Sequence, residues 1–137
     1  MLATDNLSLA SRASGAFLGL LGLALLFEAD AILPIAIPAF PPSAAWLGQL
    51  IAGAWLALAA MNWHARNTIL GGIYDRPGVY ANVMLYVVSA LGVFKAALAP
   101  SASPILWLIV GPAAVFALRY GVLLFRGLLV AFPREKS

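Results

Sequence analysis

The stretch ILWLIVGPAAVFALRYGVLLF, residues 105–125, decides the fold class. It is 21 residues of nearly unbroken apolar character, interrupted by one charge, Arg119. A strand facing a solvated side would alternate polar and apolar residues, and this segment does not. At 1.5 Å per residue a helix over it reaches about 31 Å, the thickness of a bilayer's hydrocarbon core. Three further runs resemble it. The first spans about 13–33, the second 44–62 and the third 79–99, and the fourth extends to about 126.

The composition agrees. The 137 residues are 64% hydrophobic and 9% charged. A soluble domain would be nearer 45–50% apolar and about a quarter charged. A chain this small has no interior for so much apolar surface, whereas lipid accepts it on the outside. Lipid also requires every backbone polar group to be satisfied within the protein, which leaves helices or closed barrels. Long continuous runs select helices. The expectation is an all-α, polytopic membrane protein: one domain, a bundle of four transmembrane helices.

Prolines place the connections. Asp5 or Ser8 is a candidate cap for the first helix, and Pro34 is expected to stop it. Pro38, Pro41 and Pro42 stiffen the link to the second helix, and Pro100 and Pro104 bound the link between the third and fourth. Gly111-Pro112 predicts a kink in the fourth helix.

The basic residues orient the bundle. Arg12, Arg66, Arg76, Arg126, Arg134 and Lys136 all fall on one side of a four-span arrangement. The positive-inside rule puts that side, with both termini, in the cytoplasm, and the membrane is expected to be a cell's inner (plasma) membrane. Basic residues scattered beside apolar runs do not make a phosphate-binding face, so the net charge of +3 does not point to nucleic acid. The stretch from Arg12 to Ala29-Asp30-Ala31 also imitates a cleavable signal peptide, but its basic region is weak and Glu28 and Asp30 sit awkwardly beside the cleavage point.

Ionisable groups within spans are the first functional suspects, because each costs several kcal/mol (on the order of 3) unless paired, hydrated or snorkelled. Glu28, Asp30, Gln49 and Lys95 fall at similar heights, about 20–25 Å from the cytoplasmic edge. They form a candidate intramembrane polar cluster, with Lys95 paired to Glu28 or Asp30. The competing reading has Lys95 snorkelling to the outer interface and the two acids ending the first helix in headgroup water. Arg119 and Arg126, two turns apart, are candidates for contact with a lipid phosphate or another anion, Arg119 otherwise snorkelling to the cytoplasmic surface.

The loop between the second and third runs offers candidate interaction residues: Trp63, His64, Arg66, Tyr74, Asp75 and Arg76. His64 is the single histidine, and there is no cysteine. Neither a metal site nor a thiol redox centre is suggested, and a single histidine is a thin basis for haem. Gly71-Gly72 lacks the lysine of a phosphate loop. No catalytic residue, metal or cofactor is expected.

The string Asn62-Trp63…Arg66…Gly71-Gly72-Ile73-Tyr74…Arg76-Pro77…Asn82 resembles small four-helix bacterial membrane proteins, loosely DoxX-like. It covers about a third of the chain, and Asp75 stands where a small residue is expected. The resemblance implies four helices and a bacterial inner membrane, and brings no activity or catalytic residue with it.

Gly15, Gly19 and Gly22 on the first helix, and Gly48, Ala52, Gly53 and Ala57 on the second, predict close packing of these two helices, with a dimer interface as the alternative. Three functions compete. One is a structural or interaction component that joins a membrane-protein partner or a second copy in the bilayer. Another is a small transporter or ligand-binding bundle built on the Glu28/Asp30–Gln49–Lys95 layer. The third, by the DoxX-like analogy, is a redox-associated protein carrying a quinone, flavin or haem.

Overall fold

The computed structural model describes residues 2–65 and 76–131, with side chains over 8–65 and 77–125. The fold is an all-α bundle of four helices: α1 Leu2–Ala36, α2 Ala45–Ala65, α3 Arg76–Ala97 and α4 Trp107–Ala131. Each carries a stretch long and apolar enough to cross a membrane: Ser8–Ala36, Pro42–Ala65, Pro77–Ala97 and Pro104–Phe125. The chain is a multi-pass membrane protein. Large apolar side chains such as Leu20, Phe27, Leu108 and Leu118 point outward, as lipid permits.

Proline does not end α1 where expected. The helix continues two residues past Pro34 and breaks earlier, at Glu28, whose φ of −125° and ψ of 31° are not helical. Pro34 lies six residues beyond that break, past the first turn of the new segment, and the helix ends soon after it. Residues beyond the break begin a new helical segment, in which the first amides have no carbonyl one turn back. The Ala31 amide is one of these, and it donates to Asp30 Oδ1 at 3.1 Å. Acidic side chains suit this place, since a helix start carries partial positive charge.

The chain then turns sharply. Phe40 N–H donates to Ile37 C=O at 3.1 Å, with Pro38 and Ala39 at the two central positions. Ala39 has φ 65°, a left-handed conformation normally given to glycine. A short 3-10 turn, Pro42–Ala44, feeds α2, and a second, Pro104–Leu106, feeds α4. Pro77 opens α3 in its first turn, where a missing N–H removes nothing. α4 continues as one helix through Pro112.

Two antiparallel hairpins, α1–α2 and α3–α4, make up the bundle. The first is held by close backbone approach. A methyl group on Gly15 would lie 3.2 Å from the Ala59 carbonyl oxygen, and one on Gly22 would lie 2.9 Å from Leu56 Cγ and 3.3 Å from the Ala52 carbonyl oxygen. Gly48 is pressed on by Leu33 and Ala29. The small residues of α1 therefore serve packing within the chain. A methyl group on Gly53 would meet nothing within 4 Å outside its own helix backbone. Leu25, Ala29 and Ala52 form a small core belonging to this hairpin. Leu18, Ala59, Tyr86, Ala113 and Tyr120 form a second core, to which all four helices contribute.

Candidate functional site: a buried hydrogen-bond lock

The most organised chemistry lies where the two hairpins meet. Asn62 of α2 and Asn82 of α3 exchange amide hydrogen bonds. Asn62 Nδ2 donates to Asn82 Oδ1 at 2.8 Å, and Asn82 Nδ2 donates back to Asn62 Oδ1 at 2.7 Å. The second hydrogen of each amide is also used: Asn62 Nδ2 donates to Ser14 Oγ at 2.8 Å, and Asn82 Nδ2 to the Gly78 carbonyl at 2.8 Å. Ser14 Oγ on α1 lies 2.6 Å from the Tyr86 hydroxyl on α3, and 3.5 Å from Asn82 Oδ1. Ser14, Asn62, Asn82 and Tyr86 are each at most 3% exposed, so these bonds are made out of reach of lipid and bulk water.

An aromatic column extends the lock. Tyr86 stacks on Tyr120 of α4 with centroids 5.9 Å apart and planes 12° apart, and packs on Phe116 at 4.9 Å. Phe116 reaches Phe17 of α1 at 5.7 Å. Asn82 and Tyr86 are four residues apart, as are Phe116 and Tyr120, so each pair shares one helix face.

The lock also sets heights in the bilayer. Irregular backbone does not lie against hydrocarbon, so the ends of α3 bound the apolar layer. Pro77–Ala97 is 21 residues, about 32 Å of helix. Asn82 then lies about 7 Å inside the boundary on the side of the chain termini. Lys95 lies about 3 Å from the far boundary. Ser14 and Asn62 share Asn82's height through their bonds. Counting from them puts Glu28 and Asp30 within about 3 Å of the far boundary and Gln49 within about 5 Å.

The residues singled out by sequence therefore share a level, but among the described residues no hydrogen bond or ion pair is seen between them. Glu28, Asp30, Gln49 and Lys95 are all exposed. Among the described residues no ion pair joins Lys95 to Glu28 or Asp30. Lys95 occupies the last turn of α3, where a cation favours the helix end and can reach headgroups. Arg119 is half-buried on α4, next to Tyr120. Trp63 and His64 end α2 and are exposed; His64 Nδ1 donates to the Ala60 carbonyl one turn back at 2.8 Å. Arg66, Tyr74 and Asp75 lie outside the described residues, as do the side chains of Arg76 and Arg126. Among the described residues no three His, Cys, Asp or Glu side chains converge as a metal site.

Sequence reading missed the lock because its members are neutral. Serine, asparagine and tyrosine near span ends read as headgroup residues. The available signal was the placing of Tyr86 and Tyr120 well inside their spans, one helical turn from Asn82 and Phe116.

Above the lock, Phe17, Leu18, Leu21, Trp55, Leu85, Tyr86, Ser89, Ile109 and Ala113 line a crevice of about 10 Å³. That is room for about one water molecule. No protein-family model, curated protein or solved structure matches this chain. The DoxX-like resemblance thus rests on the loop string alone.

Proposed function

We propose that this protein is a structural or interaction component of a bacterial inner membrane, acting through its lipid-exposed faces and not through an internal site. The carrying observation is the filled interior. Ser14, Asn62 and Asn82 satisfy one another, aromatic rings occupy the space beside them, and the crevice between the helices is of water size. Such an interior stabilises one arrangement of helices and leaves the outside to do the work. Gly53 and the neighbouring exposed Ala54 and Ala57 give α2 an outer surface on which another helix can approach closely.

Both termini are cytoplasmic in this reading. Support comes from the segregation of Arg12, Arg66, Arg76, Arg126, Arg134 and Lys136 to one side. The lipid bilayer is the first partner, and the second is another membrane protein or a second copy of the chain. The test is native mass spectrometry after gentle extraction from the source membrane, with cross-linking in intact membranes. The expected result is a mass above the 14.4 kDa of one chain, accounted for by a partner or by further copies. A single uncomplexed chain by both methods overturns the proposal.

A further inference from the structure

Each helix is long enough for a full bilayer, yet the apolar surface it shows to lipid is shorter than the helix. On α1 the exposed side chains between Arg12 and Glu28 are all apolar, over about 24 Å of helix. On α2 the exposed residues between Gln49 and His64 include no ionisable or amide group, over about 22 Å. On α3 the exposed residues between Tyr80 and Lys95 are apolar, again over about 22 Å. Tryptophans mark the same limits. Trp46 and Trp63, 56% and 49% exposed, stand about 26 Å apart on α2, and indoles favour the headgroup level. Trp107, 48% exposed, opens α4 at the same end as Trp46. α4 gives no matching pair, since the side chains past Phe125 lie outside the described residues, and its Arg119 is half-buried.

Long side chains can reach outward and so lengthen an apolar band, and Lys95 can do this. Two other limits are fixed. His64 Nδ1 donates to the Ala60 carbonyl at 2.8 Å, which holds the ring one turn toward the bilayer centre. At the other face the backbone of α1 itself breaks at Glu28, and Asp30 accepts from the Ala31 amide. Broken backbone does not lie against hydrocarbon. In a core of the ordinary depth, about 30 Å, the imidazole or the break would stand among acyl chains.

We propose that the lipid-facing surface is built for a thin hydrocarbon layer, about 22–26 Å deep, so that the chain prefers lipids with short acyl chains and thins a longer-chained bilayer around itself. The ends of α3 remain the outer limit of the layer, and the exposed side chains set the narrower, working one. Mismatch of this kind is relieved when helices of separate chains share a perimeter, so a thick membrane would draw copies or partners together. That consequence bears on the partner proposed above, but the thin band does not rest on it.

Tryptophan fluorescence of the purified full chain reads the preference, because Trp46, Trp63 and Trp107 all face lipid. The chain is reconstituted in phosphatidylcholines whose two monounsaturated chains have fourteen to twenty-two carbons. Competition against a brominated phosphatidylcholine, which quenches the indoles, gives the relative affinity for each chain length. Affinity is expected to be highest at fourteen or sixteen carbons and to fall about threefold or more by twenty-two. A maximum at eighteen carbons or longer, or no dependence on chain length, overturns the proposal. The double variant Gln49→Leu with Lys95→Leu lengthens the apolar band on α2 and α3 and should move the maximum to longer chains. An unmoved maximum would mean that these residues do not set the limit, and the proposal fails. The wild-type series needs no variant to fold and no protein partner, so it decides the thickness whatever becomes of the proposed assembly.

Discussion

Replacing Asn82 with leucine should test the lock most severely. Asn82 receives one amide hydrogen bond from Asn62, returns another, and donates a third to the Gly78 carbonyl. Leucine has the same number of side-chain heavy atoms, is bulkier, and removes all three. The consequence falls mainly on Asn62, whose Oδ1 and one Nδ2 hydrogen are left buried without partners. Hydrogen bonds between helices in membranes are worth about 0.6 kcal/mol on average and up to about 1.7. A buried group stripped of its partner costs about 1–3 kcal/mol. Two stripped groups and one weakened carbonyl bring the expected loss to about 2–4 kcal/mol. Asn62→Leu should cost a similar amount, since it also takes a donor from Ser14. The double variant is the discriminating one. With both amides gone, neither leaves the other unsatisfied, so it should lose at least 1 kcal/mol or so less than the sum of the singles. The assay is reversible unfolding in mixed micelles followed by tryptophan fluorescence. Strict additivity, or single variants as stable as wild type, would refute the lock.

Further expectations concern the packing and the turns. Gly22→Ala should destabilise by about 1–3 kcal/mol in the same assay, because its methyl would press on Leu56 and the Ala52 carbonyl, whereas Gly53→Ala meets open space and should be neutral or stabilising. Ala39→Gly should stabilise by about 1 kcal/mol, read as a shift in the unfolding midpoint, since the φ of 65° strains an alanine and not a glycine. Lys95→Met should leave stability within about 0.5 kcal/mol of wild type, because the side chain is exposed at the end of α3; a large loss would revive the pairing with Glu28 or Asp30.

The four spans were legible because hydropathy reports directly on burial in lipid, and a run of 20 residues has few other uses. The ends were less legible, each for a local reason. Pro34 is expected to stop α1, and the helix does end two residues past it, but the earlier break at Glu28 carries no proline to announce it. Gly15 and Gly22 announced the contact between α1 and α2, since small residues at helical spacing have a direct geometric consequence. The centre of the bundle was not announced. Glu28, Asp30 and Lys95 stand out in the sequence because charge in a membrane is costly, yet that cost is also what drives such groups to the boundary. Neutral Asn62 and Asn82 can be buried if they meet, and nothing along a single sequence says that they do.

Why the lock is polar follows from the physics of α3. Between helices in lipid there is no hydrophobic drive, so burying one apolar face instead of another gains little. Val83, Met84, Leu85, Val87 and Val88 surround the α3 axis with similar side chains, and hydropathy alone does not choose the face that turns inward. Asn82 and Tyr86 make that choice. Turning α3 by one residue, about 100°, would carry both toward lipid, breaking the bonds to Asn62 and Ser14 and leaving amides in hydrocarbon. On the far side the residues buried on the second hairpin, Leu106 and Val110, are apolar. Packing of that kind tolerates small slips that hydrogen bonds do not. The hairpins are therefore registered at the end nearer the chain termini and merely packed at the other. Variants in the lock should alter which face of α3 is lipid-exposed, whereas Leu106→Ala should lower stability and leave that face unchanged. Cysteine labelling at Val87 and Val88, exposed now, and at Ala90, half-buried now, reads the difference.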